Sequence, residues 1–178
     1  MANDVTRHRE RARLAPVRSW LVAGALIEGP SGLLLVSNRR HDGVVDWTTP
    51  GGVIDPGESL ISGLAREVRE ETGLEVSEWG ELAYEIEVHA PDLGWDLRVE
   101  VHRVVAVTGD LVIDDPDGIV TEACYVECEL CEDRLGASQP WVKEPLVSWL
   151  TNRWSSPQAF RYRVEGSDLN SIEVTSLT

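Results

Sequence analysis

The chain has 178 residues, 42% of them apolar, and carries 16 basic against 31 acidic side chains for a net charge of −15. That length suits one domain with a small extension. The acidic balance excludes nonspecific binding to nucleic acid or anionic membrane, since either needs a basic surface, but it admits a small anionic substrate if a metal cation supplies positive charge.

Residues 1–15 are polar and arginine-rich and read as an arm or a short surface helix that Pro16 ends; residues 16–178 read as a single domain. The N-terminal segment lacks the apolar centre of a secretory signal, and no 18-residue apolar run suggests a membrane span. Residues 17–28 are apolar and β-branched enough for a strand. Gly29-Pro30-Ser31-Gly32 reads as a turn, residues 33–38 as the hairpin partner, and 39–47 as a polar loop ending on Trp47.

Residues 59–72 form the clearest helix, with Ser59 as N-cap and Gly73 placed to end it in a left-handed conformation. Strands are expected over 82–90, 97–108 and 119–127, with a turn at Asp115-Pro116-Asp117-Gly118. A calcium loop built on Asp114, Asp115 and Asp117 fails, because Ile113 and Cys124 would stand where carboxylates are required. Helical spacing resumes over 140–154, with Pro145 as its weak point, and 160–166 could add a strand. Cys124, Cys128 and Cys131 lie far in sequence from the four histidines, so reduced thiols of a cytoplasmic protein are expected rather than a zinc site. Strands and helices do not alternate regularly, which points to a mixed α/β or α+β sandwich.

At roughly 100° per residue, Leu60, Leu64 and Val68 with Ile61 make the buried stripe of the helix over 59–72. Glu67, Glu70 and Glu71 share an arc beside that stripe, and Glu58 enters from the preceding loop. Like charges at this spacing repel by a few tenths of a kcal/mol per pair, so a cation is the natural compensation. Hard oxygen donors beside Gly51, Gly52 and Gly57 suit Mg2+, with Mn2+ as a substitute. Arg66 can pair with Glu58 and hold it in place. A solvated acidic helix face is the competing account.

The stretch 52–74 resembles the Nudix hydrolase signature G-x5-E-x7-R-E-U-x-E-E-x-G-U, where U is apolar. Gly52, Glu58, Arg66, Glu67, Val68, Glu70, Glu71, Gly73 and Leu74 fill every specified position. The resemblance implies an α/β/α sandwich around a mixed β-sheet. It further implies Mg2+-dependent hydrolysis of a pyrophosphate in a nucleoside diphosphate linked to another group. Glu67 and Glu71 would be principal metal ligands, Glu70 a further ligand or the base, Glu58 auxiliary, the Gly51 carbonyl a ligand, and Arg66 the residue that orients the carboxylates.

Outside the signature, Trp47 could stack on a base or close its loop onto the core. Arg39, Arg40 and Arg98 could hold phosphates, and Glu100 or Glu122 could add a carboxylate. Pro91 leans weakly toward ADP-ribose or a nucleotide sugar, whereas Thr48-Thr49-Pro50-Gly51-Gly52 also fits enzymes that clear damaged nucleoside triphosphates. Ser138-Gln139-Pro140-Trp141 matches the start of an NADH-cleaving motif and is read as chance at a helix start. A non-catalytic nucleotide-binding regulatory module and a protein-interaction domain anchored by Trp141, Trp149 and Trp154 are the remaining readings. The tryptophan count and the resemblance together leave room for a homodimer.

Overall fold

The structure, a computed structural model, describes residues 17–40, 43–168 and 171–177; the N-terminal arm expected over 1–15 lies outside them. Chain order begins with β1 (Arg18–Leu26), β2 (Glu28–Gly29), β3 (Gly32–Arg39), β4 (Val45–Thr48), β5 (Gly51–Val53) and α1 (Leu60–Thr72). It continues through β6 (Glu75–Ala90), β7 (Trp95–Thr108), β8 (Val120–Val126), the short helix α2 (Cys131–Arg134), α3 (Pro140–Asn152), β9 (Gln158–Glu165) and β10 (Glu173–Ser176). Single 3-10 turns flank α2.

Two sheets form. The larger has the order β10-β9-β6-β7-β1-β5 and is mixed: β1 runs parallel to β7 and β6 parallel to β9, while the other pairs are antiparallel. In the smaller sheet β3 pairs antiparallel with β2, β4 and β8. Helices cover both faces of the larger sheet. On one face Leu64 and Val68 of α1 pack against Ala23, Ala25, Ile27, Leu34 and Leu74. On the other, Trp141, Leu146 and Trp149 of α3 pack on Leu26, Tyr84, Ile86 and Val88. This is the expected α/β/α sandwich, and it puts Trp141 and Trp149 in the core; Trp154 packs against them from the rim.

Several boundaries differ from the sequence reading. The segment 45–48 is a strand rather than loop, because β3 offers it an open edge from Val36 to Arg39. The strand expected over 82–90 begins at Glu75; register shifts between Val76 and Tyr84 break its alternation and hide it among charged residues. Ile61 is exposed. The buried arc of α1 swings instead to Gly63, where an added Cβ would lie 2.8 Å from Ile54, so the missing side chain lets the loop after β5 fold over the helix. Pro145 sits inside α3 and is buried without breaking it. No helix among the described residues is long and apolar enough to cross a membrane.

Candidate active site

Both ends of α1 are set locally. Ser59 Oγ accepts the Ser62 N–H at 3.2 Å, and Gly73, at φ 75°, donates its N–H to the Arg69 carbonyl at 2.8 Å. Between these caps Arg66 gathers the acidic side chains. Its Nη2 and Nε donate to the two oxygens of Glu58 at 2.9 and 3.1 Å, a two-point clamp on the loop carboxylate. Its Nη1 donates to Glu67 at 2.7 Å and to Glu70 at 3.2 Å. Glu58 is further fixed by the Asp55 N–H at 3.3 Å.

Glu71 points elsewhere. It is buried, 8% exposed, and accepts the Gly51 N–H at 2.8 Å. That bond ties α1 to β5, the edge strand beside β1. Gly51 has φ 145°, and a Cβ there would lie 2.1 Å from the Ala23 carbonyl oxygen; at Gly52 a Cβ would lie 2.5 Å from a carboxylate oxygen of Glu67. The two glycines therefore serve different ends. The first lets β5 lie flat on β1, and the second leaves the space that the Glu67 carboxylate fills.

The electrostatics follow from this packing. Burial pushes the Glu71 carboxyl up to about 8 despite the Gly51 N–H, and the charges of Glu67, Asp115 and Glu70 add to the rise. Burial also raises Glu67, with Arg66 opposing and Glu70 and Asp117 reinforcing. Glu58 is held below its ordinary value, chiefly by the hydrogen bond from Arg66. In turn Glu58 raises the Arg66 guanidinium further, so it stays charged.

Asp115 and Asp117 are neighbours that the sequence reading missed. The loop after β7 docks on the C-terminal end of α1: the Val112 N–H reaches the Thr72 carbonyl at 2.9 Å, and the Asp114 N–H reaches that of Glu70 at 3.0 Å. Asp115 closes the turn, accepting the Ile119 and Val120 N–H groups at 2.7 and 2.8 Å. The Asp-Pro-Asp-Gly turn itself was legible, but its docking on α1 depends on contacts distant in sequence.

Of the carboxylates expected to converge on a cation, Glu58, Glu67 and Glu70 gather around Arg66, while Glu71 is held apart by the Gly51 N–H. Among the described residues no group of three His, Cys, Asp or Glu side chains is arranged so that it could hold an ion. In donor chemistry the set still fits a hard divalent cation. Every donor is an oxygen, the buried Glu71 carboxylate has one N–H donor within a ring of like charges, and Gly52 leaves room for Glu67.

Gly51 also lines a cleft of about 220 Å3 between the larger sheet, α3 and the start of β5. Its floor and walls are apolar, including Val22, Val99, Val101, Tyr84, Trp141 and Leu146, with Asn38, Thr48 and Thr49 as polar groups. A second hollow of about 350 Å3 lies over β6, β7 and β9. Its charges are paired, Arg161 with Glu87 at 3.0 Å, His89 with Asp96 at 2.5 Å and Arg98 with Glu100 at 2.9 Å, and none of the α1 glutamates lines it.

The remaining candidates fall in different places. Trp47 is 8% exposed and belongs to the core; Arg134 lies over its ring at 4.7 Å and Ser138 bonds both its N–H and its carbonyl. Its ring thus closes the loop onto the core, with the Arg134 guanidinium over one face. Arg39 is exposed at the end of β3, and Arg40 is bonded to Asp46. Arg98 is held by Glu100 at 2.9 Å and Glu85 at 3.6 Å. Glu100 shares a register row with Ala23 and Gly52, which places it on the α1 side of the sheet. Glu122 is exposed on β8 opposite Ser37. Cys124, Cys128 and Cys131 are free thiols, and burial raises the last to about 11. Pro91 opens the turn between β6 and β7, its carbonyl accepting the Gly94 N–H at 3.2 Å, so it has a structural role of its own.

Gly51→Ala is expected to lower stability by about 1–3 kcal/mol or more, from the left-handed φ and the backbone clash together. Gly52→Ala should leave the melting temperature nearly unchanged, because the far end of Glu67 can swing aside, while displacing that carboxylate. Thermal unfolding of the two variants side by side checks the contrast, and equal losses would contradict it.

A family model of the NUDIX domain matches residues 18–150. Nucleoside diphosphate-linked moiety X motif 6 of Xenopus laevis is 43% identical over 53 residues, 30% of this chain and 24% of its own length. The asymmetrical bis(5'-nucleosyl)-tetraphosphatase of Mus musculus is 51% identical over 40 residues, 22% of this chain and 27% of its own. A MutT-like protein of Streptomyces ambofaciens is 40% identical over 67 residues, 38% of this chain and 42% of its own. The chain thus matches less than half the length of each of these relatives. Among solved structures, the E. coli ORF135 protein superposes with a TM-score of 0.63 at 21% identity, covering 79% of this chain and 96% of that one. The MutT protein from Methanosarcina mazei Go1 does so at 0.62 and 22%, covering 78% and 97%. At such identities the likeness is one of fold.

Proposed function

The chain belongs to the NUDIX domain family, and on that basis we propose that it is a divalent-metal-dependent pyrophosphohydrolase acting on a nucleoside diphosphate linked to another group. The observation that carries this reading is the junction at Gly51, where the Glu71 bond joins the acidic face of α1 to the apolar cleft. One end suits a charged pyrophosphate with its cation, and the other suits the rest of a nucleotide.

Glu67 and Glu71, with Glu70, Glu58 and the Gly51 carbonyl, would hold Mg2+, or Mn2+ in its place. When bound, the ion neutralises pyrophosphate oxygens, steadies the leaving group and lowers the pKa of a bound water. The Glu70 carboxylate is held by Arg66 at 3.2 Å, a longer bond than those to Glu67 at 2.7 Å and Glu71 at 2.8 Å, which leaves it the freest of the α1 carboxylates to take a proton from the attacking water. Arg66 orients Glu58 and Glu67. Gly51 sets the direction of Glu71.

Within this class, ADP-ribose and nucleotide sugars are the first substrates to try, although Pro91 adds little to that choice now that it has a turn to make. The second reading is clearance of nucleoside triphosphates, favoured by relatives named as MutT-like and as a putative 8-oxo-dGTP diphosphatase. A cytoplasmic setting with reduced thiols belongs to the same proposal. The test is turnover in Mg2+ and then Mn2+ of ADP-ribose, UDP- and GDP-sugars, dinucleoside polyphosphates, NADH, CoA, and normal and oxidised nucleoside triphosphates. One substrate should be cleaved far faster than the rest, with activity lost in EDTA. A folded protein that binds a nucleotide tightly in Mg2+ and turns over nothing would favour the regulatory module instead.

A further inference from the structure

The apolar cleft does not stop where its enclosed part ends. Trp20, Val22 and Gly24 alternate onto one face of β1, and Val22 and Gly24 already line the cleft. Across the register Trp20 pairs with Leu97, another cleft residue, and Trp95 lies two positions before Leu97 on β7. The ring of Trp20 meets Trp95 at 6.1 Å between centroids, tilted by 59°, and Trp95 meets Trp141 of the cleft wall at 6.3 Å, near edge-on. Trp141 is 8% exposed whereas Trp20 is 38% exposed. A row of three indoles therefore climbs from the buried wall to the open mouth. Trp20 is joined to the cleft wall through Trp95, and an indole partly open at that place offers a flat apolar face to a ligand.

We infer that Trp20, backed by Trp95, is the stacking platform for the planar base of the substrate's nucleoside half. This inference rests on the hydrolase reading for its direction. Gly24 pairs with Gly51, at the carboxylate end, and Trp20 stands four residues along the same strand, about 13 Å away at the rise of an extended chain. A ligand lying along β1 thus runs from Gly51, whose N–H holds the Glu71 carboxylate, to an indole face. That polarity fits a phosphorylated nucleoside, which is charged at one end and flat and weakly polar at the other. Trp47 is no rival for the base, since its ring is buried and covered by Arg134.

The experiment is equilibrium binding of the four nucleoside monophosphates in the absence of turnover, read by quenching of tryptophan emission and by calorimetry, for the wild type, Trp20→Ala and Trp20→Phe. Stacking on an aromatic side chain predicts a Kd weaker by about 5- to 150-fold for Trp20→Ala, with most of the affinity kept by Trp20→Phe. In turnover, Trp20→Ala should raise KM for base-containing substrates with little change in kcat. Equal nucleotide affinity in the wild type and Trp20→Ala overturns the platform even if the enzyme is active, as does failure of the wild type to bind any of the four. A change of sedimentation mass with no change in nucleotide affinity also overturns it, by assigning Trp20 to a contact between copies. Binding that depends on Trp20 without turnover of any substrate would instead sink the hydrolase reading and leave the platform standing.

Discussion

Glu70→Gln and Glu71→Gln are each expected to lower kcat by about two to four orders of magnitude, the range over which a positioned acid or base acts, while the protein remains folded. The two substitutions remove charge for different reasons. Glu70 is anchored by Arg66, so its amide would keep shape and lose the capacity to take a proton. Glu71 is buried and bonded to the Gly51 N–H, and a glutamine oxygen can still accept that bond. What it cannot do is present an anion to a cation. Because burial already disfavours the Glu71 charge when no cation is counted, neutralising it should leave stability unchanged or slightly improved. Circular dichroism melts separate a catalytic loss from an unfolding loss, and a metal titration followed by calorimetry shows whether affinity for Mg2+ falls in Glu71→Gln more than in Glu70→Gln. Wild-type activity in both variants would end the assignment of these residues.

Arg66→Ala should have the next largest effect, about a 10- to 100-fold loss of metal affinity or kcat/KM, the usual consequence of removing a group that orients ligands from behind. Among the described residues Arg66 is the only hydrogen-bond donor that Glu67 and Glu70 share, and it holds both oxygens of Glu58. Without it three carboxylates lose their common partner and repel one another. Arg66→Lys is expected to recover little, because an ammonium cannot clamp Glu58 at two points while reaching two further carboxylates. The side chain of Arg66 is only 26% exposed, yet the cluster opens to water at Glu58, so the stability cost should stay modest. Raising Mg2+ should restore part of the activity of Arg66→Ala, since a bound cation relieves the same repulsion. A variant as active as the wild type at low Mg2+ would show that Arg66 does not position the carboxylates.

Much of this protein was written locally in its chain. The helix over 59–72 announces itself through Ser59, Gly73 and the spacing of Leu64 and Val68, and each of these acts within one or two helical turns. The signature from Gly52 to Leu74 places four glutamates and an arginine on one short segment, so the nature of the site could be read without knowing what the segment packs against. The hairpin turn at Pro30-Ser31 and the tight turn at Asp115–Gly118 likewise depend on residues next to one another. What tertiary structure alone decided are matters of pairing between distant segments. The first seven residues of β6 became strand because β7 supplies a partner, although bulges spoil their alternation. Ile61 was displaced from the core because the loop after β5 lies over Gly63. Trp47 went inside because Arg134 and Ser138, some ninety residues on, fold over it. The Asp115 turn came to rest beside Glu71 through hydrogen bonds from the preceding loop to the end of α1. The row Trp20, Trp95 and Trp141 exists only because β1 and β7 run parallel in register, with α3 laid across them. Caps, periodicity and turn chemistry are short-range and leave their mark in adjacent residues, whereas strand register and the covering of one side chain by another are set by free energies summed over the whole fold.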